Sequence, residues 1–201
     1  MYSTRPGYII GFHGCDEPIR DRILAGEEAL KNSKNPYDWL GHGIYFFENS
    51  PKRALDFIQY LKDHPRPGKA TIEKPSVIGA IINLGRCLDL LDAEYLELLR
   101  ESHKVLEASN KKLGLKLPLN RNANGTKDLL LRDLDCLTIE YLHKIIRNPF
   151  DSVRGVFFEG DSLYPTSGFM DKNHIQICVR NPNCIKGYFL PRAPSRHYPS
   201  V

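Results

Sequence analysis

The sequence predicts an α+β domain, and three observations predict it. Strand-like runs of β-branched and aromatic residues lie near both ends of the chain: Tyr8 to Phe12 and Ile44 to Phe47 early, Val153 to Phe158, His174 to Val179 and Gly187 to Leu190 late. Stretches with a helical apolar period fill the middle. The order is strands around helices rather than alternating βαβ units, which disfavours a doubly wound parallel sheet. A length of 201 residues suits one domain, and no linker-like cluster of Pro and Gly divides it. The reading is therefore a single domain over 1–201 with a helical insertion at about 90–150.

The elements follow in order. Asp16 is placed to cap a first helix, with Pro18 in its first turn and Ile19, Ile23 and Leu24 as its apolar face. Asn32 to Asp38 reads as a polar loop ending at Trp39. Ser50-Pro51 opens a second helix, with Ala54, Phe57, Ile58 and Leu61 at i, i+3, i+4 and i+7, and His64 to Gly68 closes it. Val77 to Leu84 is nearly all apolar and reads as a buried central strand. Asp92 is placed to cap a helix carrying Tyr95, Leu99, Ser102 and Leu106. After a loop from Leu117 to Gly125, a long helix is expected from Thr126 to Arg147, with Leu130, Leu134, Leu137, Tyr141 and Ile145 in register.

Composition excludes several classes. Hydrophobic residues make up 41% and charged residues 26%, an ordinary globular mixture. A net charge of +4, with the basic residues scattered, does not mark a nucleic-acid binder. Five cysteines without a Cys-x-x-Cys pair read as buried free thiols in a reducing compartment, and no finger-like zinc spacing occurs. The longest apolar run, Val77 to Ile82, is far below spanning length, so the expectation is a cytoplasmic protein with no membrane partner. Neither a P-loop nor a Gly-x-Gly-x-x-Gly fingerprint is present.

Two short pieces carry the chemistry: His13-Gly14 at the end of the first strand, and Gly41-His42-Gly43-Ile44-Tyr45-Phe46 thirty residues later. Singly, a strand-end histidine or a strand tyrosine is more often structural. Together, a histidine beside a glycine and a tyrosine on a neighbouring strand are what a nicotinamide pocket needs. The late strand adds a third polar position, because alternation puts His174, Gln176 and Cys178 on one face and Ile175, Ile177 and Val179 on the other.

This ordered set resembles the ADP-ribosyltransferase superfamily, in the branch of diphtheria-toxin-like enzymes and poly(ADP-ribose) polymerases. The matching residues are His13-Gly14-Cys15, Gly41 to Phe46, and Gln176 near the position of the family's late glutamate. The resemblance spans roughly the first seventy residues and the last fifty. It implies a split β-sheet core and NAD as a co-substrate. It implies catalytic roles for His13, Tyr45 and Gln176, and cofactor contacts from His13, Gly14, Cys15, Gly43, Tyr45, Arg53 and Phe57. In that picture Gly14 grips the nicotinamide carboxamide, Tyr45 stacks on the ring, and His13 bonds a ribose hydroxyl. Cleavage passes through an oxocarbenium-like state, as in glycoside hydrolysis.

Two departures shape the expectation. Gln176 replaces a glutamate, so it accepts a hydrogen bond but carries no charge and is no general base. Arg53 stands where the family often has a serine, and faces either the nicotinamide or the pyrophosphate. Glu159 is a candidate source of the missing charge, beside its plainer role at a strand end. The expected activity is mono-ADP-ribosyl transfer to a macromolecular acceptor, with Tyr164 and Phe169 in the loop before Gln176 as acceptor contacts. The alternatives are NAD hydrolysis and non-catalytic binding of NAD or ADP-ribose; a related RNA phosphotransferase fits least. The acceptor, protein or nucleic acid, stays open, as do a toxin role and a neutralising partner protein.

Overall fold

The computed structural model describes residues 7–65, 68, 70–122, 127–193 and 197. Seven strands, β1 (Ile9–Asp16), β2 (Ile44–Glu48), β3 (Pro75–Ile82), β4 (Cys87–Asp89), β5 (Ser152–Phe157), β6 (His174–Val179) and β7 (Ile185–Phe189), form one sheet in the order β4-β5-β6-β2-β1-β3-β7. Its helices are α1 (Glu17–Leu24), α2 (Pro51–Asp63), α3 (Ala93–Lys112) and α4 (Asp133–Ile145). The arrangement is α+β, and every named pairing is antiparallel except β4 with β5.

The sheet is continuous where the sequence suggests a split core, but one join is short. β1 pairs with β3 over its whole length, from Ile9↔Ile82 to Asp16↔Pro75, yet with β2 only at Gly11↔Glu48 and Phe12↔Phe47. Beyond Phe12 the two strands diverge.

Both faces are apolar, so both are covered. On one, Cys15, Ile44, Phe46, Ile78, Ala80, Ile82, Ile177 and Val179 pack beneath Ile23 of α1. On the other, Phe12 and Phe47 meet Ala54 of α2, while Val153, Phe157 and Cys178 meet Ile139 and Leu142 of α4, with Leu98 and Leu99 of α3 against that cluster. The helical middle is thus a wall of the core rather than an appendage.

The local signals explain most boundaries. Ser50 accepts a hydrogen bond from Arg53 N, and Asp92 from Glu94 N, as helix caps do. Asp16 precedes α1, but its carboxylate accepts from Lys74 N instead of capping the helix. The long helix starts later than its apolar register suggests, at Asp133. Leu131 pairs with Arg121, and Asn120 Oδ1 accepts from Leu134 N and Asp135 N, so a side chain from the preceding loop caps α4. Thr126, the expected start, lies outside the described residues, as do Arg66 and Pro67. β4, three residues long, has no alternation to reveal it. One buried ion cluster crosses the sheet: Arg154 bonds Glu48 at 2.5 and 3.0 Å and Asp89 at 3.1 Å.

Candidate active site

The site builds from the place where β1 leaves β2. Ile10 O accepts from Asn49 N, and Phe12 is the last residue in register, so Gly14, two further on, turns its N–H and C=O toward β2 where no ladder continues. His13 fills part of the gap: its Nδ1–H donates to Tyr45 O at 2.7 Å. A carbonyl only accepts, so Nδ1 carries the proton and Nε2 keeps a lone pair. Burial lowers the His13 pKa, which keeps the ring neutral.

Register then sorts the side chains. Tyr45 lies opposite Cys178, and Gln176 opposite Phe47 and Gly155, so Tyr45 and Gln176 share the face under α2 and α4. His13 is on the other face, edge-on to Phe46 at 5.9 Å. The three side chains therefore do not meet on one surface: His13 reaches the main chain of Tyr45, and Gln176 lies across from Phe47. Tyr45 is itself committed: its hydroxyl donates to Gly41 O at 2.6 Å and accepts from Leu40 N at 2.8 Å, tying the Gly41-His42-Gly43 turn to the strand.

The remaining expected contacts divide. Gly14 is required by packing, since a Cβ there would meet Ala54 O at 2.4 Å and Ile58 Cβ at 2.8 Å. Gly43 is backed by β6, where a Cβ would meet Cys178 Sγ and Val179 O at 2.6 Å. Cys15 is a core thiol whose pKa burial raises to about 11, so it offers no thiolate at neutral pH. Arg53 and Phe57, one turn apart on α2, both reach Phe47: the guanidinium carbon is 5.6 Å and the Phe57 ring 6.0 Å from it.

A group of residues that the sequence reading did not assemble surrounds His174, whose neighbour on the strand face is Gln176. Arg53 pairs with Glu159 at 3.2 Å, and Glu159 comes within 3.9 Å of His174 Nδ1. Burial raises the Glu159 pKa, against the pull of Arg53 and Lys172. His174 stacks among Trp39, Phe47 and Phe157 at 5.0–6.1 Å, and Arg132 lies over Trp39 and Phe157 at 4.6 and 4.8 Å. Gln176 Nε2 is 3.1 Å from His174 Nε2. Two buried polar atoms beside this group have no hydrogen-bond partner: Arg53 Nε and Asn173 Oδ1. A cavity of about 400 Å³ reaches Asn173 and His174 but not Arg53, Glu159 or Gln176; the rest of its lining is Glu48, Asn49, Ser50, Val156 and Ile175. The sequence marks Arg53, Glu159 and the polar pair His174 and Gln176 singly, without joining them; Trp39 and Arg132 come in from distant loops.

Tyr164 and Phe169 are exposed, as are Leu163 and Phe158, the last next to Glu159 in the chain. A larger cavity, about 600 Å³, lies at the opposite strand ends around His42, Glu140, His143 and Arg180. Neither of these cavities is lined by His13, Gly14, Tyr45 or Gln176. Among the described residues no cluster of His, Cys, Asp and Glu is built to hold a metal, and no helix is long and apolar enough to cross a membrane.

No protein-family model matches the chain. It is similar to Uncharacterized protein MJ0359 of Methanocaldococcus jannaschii, 26% identical over 195 residues that cover 87% of this chain and 83% of the relative.

Proposed function

We propose that the chain is an ADP-ribosyltransferase-like enzyme that takes NAD as co-substrate, releases nicotinamide, and passes one ADP-ribosyl group to a macromolecular acceptor. The observation that carries this reading is the opening between β1 and β2, which starts at His13-Gly14 and has Tyr45 on its other side. Main-chain N–H and C=O groups left facing a gap match the donor and acceptor of a carboxamide. The neutral His13 has only its Nε2 lone pair to offer, which suits a ribose hydroxyl.

The charge that position 176 lacks would come from Glu159. It lies in the segment just after the neighbouring strand β5, near His174, and is held by Arg53. A carboxylate beside a forming oxocarbenium centre stabilises it electrostatically. The unpartnered Arg53 Nε suits an anionic oxygen, which makes the NAD pyrophosphate its ligand in this scheme. The exposed side chains of Phe158, Tyr164 and Phe169 would then receive the acceptor. Five free, buried cysteines fit a reducing, cytoplasmic setting.

The neutral amide at position 176 favours a second reading, in which the same cleft binds NAD without breaking it. Titration calorimetry combined with transfer of label from adenylate-labelled NAD separates the two. The transferase reading expects saturable binding and labelled acceptor in a cell extract, both lost in His13→Ala. Binding without label selects the second reading, and no binding at millimolar NAD rejects both.

A further inference from the structure

We infer that His174 is a positioning residue that fixes which end of the Gln176 amide is left free for a ligand. The inference rests on the functional reading above only for its purpose; the orientation itself follows from hydrogen-bond logic. His174 Nδ1 is 2.7 Å from Lys172 O. A carbonyl cannot donate, so Nδ1 carries a proton and donates. In the neutral ring Nε2 is then a bare acceptor. Its neighbour at 3.1 Å is Gln176 Nε2, an amide N–H donor. The histidine therefore takes the amide nitrogen, and the Gln176 carbonyl oxygen is the atom left to accept from a ligand hydroxyl.

The surroundings keep this state in place. The His174 side chain is 1% exposed and enclosed by the rings of Trp39, Phe47 and Phe157. The charged groups facing it are Glu159 from the segment after β5, Arg53 from α2 through that carboxylate, and Arg132 at the start of α4 across Trp39 and Phe157, while Lys172 O accepts the hydrogen bond from Nδ1. Burial and the two arginines disfavour a second proton, against the opposite pull of the hydrogen bond to Lys172 O. Should the ring gain that proton, both nitrogens become donors, and Gln176 must rotate to offer its oxygen inward. Its N–H groups would then be the free end, and the acceptor for a ribose hydroxyl would be lost.

Two measurements on the full chain test this. A long-range proton–nitrogen NMR spectrum of histidine-labelled protein, without ligand, reads the tautomer. A neutral Nδ1–H form of His174 at pH 7 is expected, and an Nε2–H or cationic form overturns the proposal. The second compares NAD cleavage by wild type, His174→Phe and His174→Gln. Phenylalanine keeps the ring stack without the acceptor, so kcat should fall about tenfold, the worth of one orienting hydrogen bond, with the fold retained by circular dichroism. Glutamine restores an acceptor and should recover part of that loss. Wild-type cleavage unchanged in His174→Phe overturns the positioning role. The expected tautomer with no cleavage by any of the three proteins leaves the amide orientation standing and refutes the enzymatic reading instead.

Discussion

His174 stores a pH dependence that unfolding releases. Burial lowers its pKa from 6.5 to about 4. Below pH 6.5 the unfolded chain takes up a proton that the folded chain refuses, so stability is full above 6.5 and falls as the pH drops toward 4. The maximum loss from this one group is about 3 kcal/mol. Thermal melts from pH 7 to 4 should show it, and His174→Phe should flatten that acid limb. The imidazoles of His13 and His143 are lowered by burial too and add a slope of the same sign, which remains in the variant. A carboxylate at position 176 would act oppositely on the same ring. Gln176→Glu sets a negative charge against the Nε2 lone pair, so the His174 pKa should rise, as an NMR titration of the ring carbons would record. A pKa left at its present depressed value would show that the two side chains do not meet.

Elements meet at positions where a single atom decides the spacing. Gly14 lets α2 lie directly on β1, and Gly14→Ala places a methyl 2.4 Å from Ala54 O. The helix must shift, at about 1–3 kcal/mol, readable as a lower urea midpoint. Arg154 joins β2, β4 and β5 through Glu48 and Asp89. Arg154→Met leaves two carboxylates in a buried place without their cation and should cost about 3–5 kcal/mol in the same assay. These contacts also show what the sequence makes legible. Alternation in His174 to Val179 puts Gln176 on the polar-bearing face, and the caps at Ser50 and Asp92 mark their helices, because such signals are local. Asn120 capping α4, Trp39 stacking on His174 and Glu159 reaching Arg53 are products of the assembled fold. The placement of His13 and Tyr45 side chains on opposite faces likewise depends on the register of β1 with β2, which a motif spacing does not specify.

Across the whole molecule, the sheet order puts the two early motifs and the late strand side by side, as β1, β2 and β6. The wall of α3 and α4 closes one side of the shared face and α2 the other. Between them lie Tyr45, Gln176 and the Arg53–Glu159 pair, the proposed meeting point of NAD and its acceptor. The amide at 176 leaves Glu159 to supply the negative charge beside Arg53, so Glu159→Gln should reduce NAD cleavage far more than it reduces NAD binding, seen by comparing kcat with the calorimetric Kd. The most direct test of the account is proton NMR of NAD incubated with the purified protein and a cell extract as acceptor source. The account predicts free nicotinamide accumulating with wild type and not with Gln176→Ala, while intact NAD after prolonged incubation with wild type would contradict it.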